Sequence, residues 1–385
     1  MGLSFEKDER FDFSKLDEFI AKMTEESIFN ASMAVVYKNK LVFRKNYGFR
    51  DYDKKIPASK DDLYVIYSSS KVITCTAAMR AIEDGFLSLD DPISKYIPEF
   101  KTMTVRDEKT GEVYTAKKQI TVENLFTMSS GLTYELGNAC IADYIRENPH
   151  ANTLDVIKNG IAKMELIFEP GKHYNYSLSH DVLAGVVEVA VGEKFGDYVR
   201  RVIFEPLNMT DSTYLLSDVR DKSRIVDQYR DDPDKGIIRE GGCVYMLTDR
   251  YESGGAGVIT STDDYVSFVS ALSNYGTAKN GAHILSKESI DNMKTNRLTD
   301  EEKLEGFWKR CDGYGYGLGV RTLIDNKGAH APIGEFGWDG AAATYTFVDV
   351  ENHLCCFFGT QVLASTAALG AQGKMRDMIY EALGL

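Results

Sequence analysis

The chain has 385 residues, 43% hydrophobic and 27% charged, a composition typical of a soluble globular protein with material for a large core. Its formal net charge of −13 excludes the basic face that nucleic-acid binding needs and disfavours docking on anionic membranes. No apolar run is long enough to span a bilayer, and Met1 to Asp8 lacks a basic patch followed by an apolar stretch. A cytoplasmic protein without a signal peptide or membrane span is therefore expected.

In chain order, Asp12 to Ser27 predicts an amphipathic helix, with Phe13, Leu16, Phe19, Ile20 and Met23 on one stripe and Ser14 and Asp17 spaced as a capping box. Ser32–Tyr37 and Leu41–Tyr47 read as strands joined by a short turn at Lys38-Asn39-Lys40. A long, mostly helical passage follows, with helices predicted from Lys71 to about Gly85, over Thr121–Met128 and Thr153–Met164, and from Asp181 to Gly192. Glycine-rich and strand-like segments return in the last third. Gly254–Ser261 leads into a helix from Thr262, Ala343–Val348 and Leu354–Phe358 look like paired strands, and Thr366–Leu383 closes the chain as an amphipathic helix.

The expected fold is α/β in the α+β sense: residues 1–64 and 249–385 build a sheet domain flanked by the terminal helices. Residues 65–248 form an inserted, mostly helical domain, with a cleft between the two.

The six cysteines (Cys75, Cys140, Cys243, Cys311, Cys355, Cys356) lack zinc-ligand spacing and read as free thiols, and no cofactor or metal is called for. His180-Asp181 is the one suggestive neighbour pair, but adjacent residues on a helix diverge, so it reads as core.

The stretch Tyr67-Ser68-Ser69-Ser70-Lys71 carries the most chemistry. Ser68 and Lys71 stand one helical turn apart on one face, and Ser68 falls at a helix start, where free N–H groups favour an oxyanion. A lysine becomes a base only when its surroundings depress its pKa. Two distant stretches bear on this serine. Tyr176 lies in a polar loop before an apolar helix, where a phenol can shuttle a proton. Trp338-Asp339-Gly340-Ala341 opens a small-residue segment in which a ligand can approach backbone N–H groups. Each stretch also has a purely structural reading.

Taken in this order, with Ser129-Ser130-Gly131-Leu132, Pro170-Gly171 and Tyr314–Gly319 as further landmarks, the chain resembles the serine β-lactamase/penicillin-binding-protein superfamily. It is most similar to the class C β-lactamase-like branch with its carboxylesterases, D-aminopeptidases and 6-aminohexanoate-dimer hydrolases. The resemblance implies a β-lactamase/transpeptidase-like fold, Ser68 as acylated nucleophile, Lys71 as its base, and Tyr176 as second acid/base group. It further implies an oxyanion hole from the N–H groups of Ser68 and Ala341. Trp338, Asp339, Gly340 and Leu178 would then contact substrate. Leu178 stands where the family has an asparagine, and Trp338 where β-lactamases have a lysine. Both departures remove groups that recognise penicillins, and Asp339 is expected to add negative charge at the cleft. The implied activity is hydrolysis of a small-molecule ester. The alternatives are an amidase or D-aminopeptidase, an acyltransferase, a true β-lactamase, or a non-catalytic sensor. The oligomeric state is not legible.

Overall fold

Strands Asn30–Tyr37 and Lys40–Gly48 form the first hairpin, turning at Lys38 and Asn39. Both turn residues have positive φ, 49° and 61°, the backbone hand that matches a two-residue hairpin to strand twist. The computed structural model describes residues 10–107, 110–303, 306–308, 311 and 313–385; Met1 to Asp8 lies outside them.

The hairpin is one edge of a seven-stranded sheet. Its order is Lys40–Gly48, Asn30–Tyr37, Leu354–Gly359, Tyr345–Asp349, Phe336–Gly337, Arg321–Leu323 and Tyr314–Tyr316, and every neighbouring pair is antiparallel. Ala34 sits opposite Phe357, and Thr346 opposite Phe357 on the other side. Side chains alternate across the sheet, so Cys355 and Phe357 enter one core while Cys356 and Phe358 enter the other. The second core is closed by the terminal helices Ser14–Met23 and Thr366–Leu383. The first is covered by helix Thr262–Ser273, capped by Ser261, and continues into the helical part of the molecule. The expected capping box at Ser14 does not form: Asp17 accepts instead from Lys45 Nζ and Tyr47 OH, which draws its carboxylate to the sheet.

In sequence, between the first hairpin and the later strands of the sheet, come helices Ser70–Glu83, Val122–Phe126, Ala139–Glu147, Thr153–Asn159, Ser179–Val191 and Phe195–Val199. Helix Ser70–Glu83 is buried on all sides from Ser70 to Met79, its polar Lys71, Thr74 and Thr76 included. It ends at Asp84, after which Gly85 takes a positive φ of 78°. Helix Ser179–Val191 packs across it and stops in the same way at Gly192. This segment also holds strands: Thr104–Arg106 pairs with Val113–Thr115, and Tyr229–Asp232 pairs with Gly236–Arg239 and, in parallel, with Val362–Leu363. Among the described residues no helix is long and apolar enough to cross a membrane.

Candidate active site

From Asp62 to Met79 every residue is buried except Ser68, which is half-buried. Tyr67, at a φ of 47°, turns the chain just ahead of it. A bulky residue in this region costs about 1–2 kcal/mol, so the turn must be held from outside. The Tyr67 hydroxyl donates to Gln228 Oε1, and strand Leu63–Val65 pairs with Ile259–Ser261. The Ser69 and Thr344 hydroxyls bond at 2.9 Å, Tyr265 OH donates to Ser69 O, and the Val258 N–H donates to Ser70 Oγ. Ser68 lies in a 3-10 turn, Tyr67–Ser69, just before the α-helix instead of in its first turn.

Lys71 is completely buried beneath Ser68. Its Nζ donates to Ser68 Oγ at 3.3 Å, Tyr134 OH at 3.1 Å and Gly255 O at 2.7 Å. The amine also lies 4.6 Å from the Tyr176 ring centre and 5.2 Å from that of Tyr134. Burial penalises the ammonium and brings its pKa down from 10.5 to about 7, against the opposing pull of Asp181 and Cys75. An amine so placed is neutral in a large fraction of molecules at neutral pH.

Tyr176 stands on the other side of the serine. Trp338 Nε1 donates to its hydroxyl at 3.1 Å, and the two rings stack 5.7 Å apart. Burial raises the Tyr176 pKa, while hydrogen bonds from Ser68 and Trp338 lower it, so the phenol keeps its proton.

After the short strand Phe336–Gly337 the chain leaves the sheet, and Gly340 to Ala343 forms a tight turn closed by the Ala343 N–H on Gly340 O. Gly340 is required: a Cβ there would lie 2.4 Å from Ile66 O and 2.1 Å from Thr344 Oγ1. Ala341 is exposed, and among the described residues its N–H has no acceptor. Ser68, near the start of its turn, likewise has no earlier carbonyl to bond.

The structure thus gathers Ser68, Lys71, Tyr176 and Trp338, and joins the Gly340–Ala343 turn to the nucleophile turn through Thr344. Two expectations need correction. Leu178 is 2% exposed, its apolar side chain packed in the core just before helix Ser179–Val191 and offering almost no surface to a substrate. Asp339 does not contribute a free charge: its carboxylate accepts from Arg321 Nη1 at 2.8 Å. Arg321 is itself buried between the Tyr314 and Tyr345 rings, with Glu335 beside it.

Several contributors escaped sequence reading. Tyr134 follows the Ser129-Ser130-Gly131-Leu132 landmark, yet nothing in its spacing marks it as a lysine partner. Phe307 is 49% exposed but stacks on Tyr176 and Trp338, with ring centres 6.3 and 6.0 Å away. Tyr245 packs edge-on against Tyr134. His180, lowered to about 3 by burial, meets Phe126 O and stays neutral in the core.

The Beta-lactamase family model matches residues 16–372, nearly the whole chain. The chain belongs to the Beta-lactamase family. It is 29% identical to Protein Rv1367c of Mycobacterium tuberculosis, over 95% of this chain and 98% of that one. It is 26% identical to esterase EstB of Burkholderia gladioli, over 95% of each. The solved structure of EstCE1, a hydrolase with promiscuous acyltransferase activity, superposes with a TM-score of 0.78 at 21% identity, over 96% of this chain and 98% of that one. The fold is accordingly that of β-lactamases and transpeptidases.

Proposed function

We propose that this member of the Beta-lactamase family is a serine hydrolase that cleaves small, uncharged carboxylic esters through an acyl-enzyme on Ser68. The observation that carries the proposal is the buried Lys71 amine, held near pKa 7 and 3.3 Å from the one half-exposed hydroxyl of its run. In this reading Lys71 takes the Ser68 proton as Oγ bonds to the ester carbonyl carbon. The carbonyl oxygen becomes an oxyanion facing the N–H groups of Ser68 and Ala341. The carbon–oxygen bond to the alcohol then breaks. Tyr176 gives its proton to the departing alkoxide and recovers one from the Lys71 ammonium. Water adds to the acyl carbon by the same route in reverse, releasing the acid and restoring Ser68.

The walls favour an apolar ester. Tyr176, Trp338 and Phe307 form an aromatic stack beside the serine, and Arg321 pairs with Asp339, so that carboxylate offers substrate no free charge. A β-lactam carboxylate loses the lysine that Trp338 replaces. The name of the EstB relative, an esterase, supports the same class. Acyl transfer to an alcohol would use the same residues with a different acceptor.

Mass spectrometry after exposure to a fluorophosphonate tests the reading. One adduct on the Ser68 peptide, lost in Ser68→Ala, is expected, together with turnover of p-nitrophenyl esters above p-nitroanilides and a chromogenic cephalosporin. An unlabelled Ser68 refutes the serine hydrolase; faster anilide or cephalosporin turnover refutes the esterase.

A further inference from the structure

Beneath Lys71 lies a carboxylate that the roles above leave unused. Asp181, in helix Ser179–Val191, is 1% exposed. Its Oδ1 accepts from Ser253 Oγ at 2.6 Å and from Tyr251 OH at 3.1 Å. Its Oδ2 is sealed from solvent and has no hydrogen-bond partner among the described residues. The Gly255 amide pulls on the carboxylate without reaching hydrogen-bond geometry with Oδ2.

What Oδ2 faces is defined by Gly255. A Cβ on that residue would lie 2.5 Å from Asp181 Oδ2 and 2.6 Å from Tyr134 OH, so the two oxygens flank the space of one missing methyl group. Lys71 Nζ is bonded to both neighbours of that space, Tyr134 OH and Gly255 O. Ser253 is held by the carboxylate while its hydroxyl accepts from the Ala256 N–H. Asp181 therefore pins the turn whose carbonyl receives the lysine.

A buried carboxylate with an unused oxygen is expensive to keep, and an amide of the same shape would pack the site without the charge. Why the chain keeps a carboxyl here in place of that amide is what needs explaining. We propose, on the serine-hydrolase reading above, that Asp181 is a positioning residue: through Ser253 and the turn that carries Gly255 it holds the Lys71 amine on Ser68. It also supplies the counter-charge for the ammonium that forms when Lys71 takes the Ser68 proton.

The other titratable groups around Lys71 cannot fill this place. Cys75 has its pKa raised by burial and stays a thiol, Tyr134 and Tyr176 are phenols raised by burial, and His180 is neutral. Burial raises the Asp181 carboxyl above its ordinary value, and Ser253, Lys71 and Tyr251 oppose that rise, so it is the group here whose charged form Lys71 itself favours.

The experiment is the pH profile of kcat/KM on an uncharged p-nitrophenyl ester, with fluorophosphonate labelling in parallel, for the unaltered chain, Asp181→Asn, Asp181→Glu and Ser253→Ala. Losing the carboxylate makes Lys71 harder to protonate. In Asp181→Asn the acidic limb is expected to move down by about one pH unit, and kcat to fall about tenfold or more, while Ser68 still labels. Asp181→Glu, which keeps the charge, returns the limb toward its original position. Ser253→Ala, a milder change that removes one donor to Oδ1, shifts it down by less and serves if Asp181→Asn does not fold. A limb that stays in place in Asp181→Asn, or in Ser253→Ala when that variant stands in, with Ser68 labelled in the unaltered chain, overturns the role of Asp181 alone. An unlabelled Ser68 in the unaltered chain overturns the hydrolase reading as well.

Discussion

The indole of Trp338 both donates to the Tyr176 hydroxyl and stacks on its ring, so one side chain fixes the phenol's position and its hydrogen-bonding direction. Trp338→Phe keeps the stack and loses the donor. A hydrogen bond of this kind is worth about 1–1.5 kcal/mol, so kcat for p-nitrophenyl esters is expected to fall about tenfold with little change in KM. An unchanged kcat would show that Trp338 serves only as wall.

The acidic limb of the unaltered chain follows from Lys71. The amine accepts a proton only when neutral, and burial holds its pKa near about 7. Activity is therefore expected to rise as pH climbs through about 7. Tyr176, raised by burial, keeps its proton well above that point and adds no falling limb near neutrality. A profile that is flat or descending across pH 7 contradicts Lys71 as the base.

Phe307 is half-exposed and lies against the rings of Trp308, Trp338, Tyr176 and Tyr174, so its loss should spare the fold and alter the cleft. Phe307→Ala is expected to raise KM for a p-nitrophenyl benzoate several-fold while leaving p-nitrophenyl acetate nearly unaffected. Equal effects on both esters would remove Phe307 from the acyl site.

Asp339→Asn tests the ion pair. Because Arg321 already consumes the charge, the preference between acid-bearing and amine-bearing esters should not change. Leaving the buried guanidinium with Glu335 as its remaining carboxylate should instead lower stability by about 1–3 kcal/mol, read as a fall in Tm. A switched charge preference at unaltered Tm would show that Asp339 faces substrate.

Gly340→Ala forces a Cβ against Ile66 O and Thr344 Oγ1, which tie the sheet end to the nucleophile turn. Loss of labelling at Ser68 is expected even where circular dichroism shows retained secondary structure.

Much of the framework was legible because it rests on local pattern. The terminal helix Thr366–Leu383 and the strand pair around the Asp349–His353 turn follow from apolar period and turn chemistry. Ser68, Lys71, Tyr176 and Trp338 were legible as motif positions, and their convergence needed only the fold. The strands Tyr229–Asp232 and Gly236–Arg239 were not legible, since Arg230, Asp231 and Asp232 break any apolar alternation and the pairing partner Val362 lies far along the chain. The Asp339–Arg321 pair was hidden for a similar reason: a cross-sheet neighbour decides whether a carboxylate is free. Tyr134 meets the Lys71 amine directly, and Asp181 lies across the empty side-chain space of Gly255, a residue whose importance is the side chain it lacks.

The sheet order described above has a consequence for how the chain acquires its shape. Strand Asn30–Tyr37 is made long before the strand that fills its inner edge, Leu354–Gly359, because the whole helical block lies between them in sequence. Until then the hairpin carries an open, apolar edge, and the whole helical block has time to condense beside it. Folding should thus end in a slow, non-local step in which the C-terminal strands dock. Truncations that remove Leu354–Gly359 should leave a collapsed but association-prone species, detectable by light scattering.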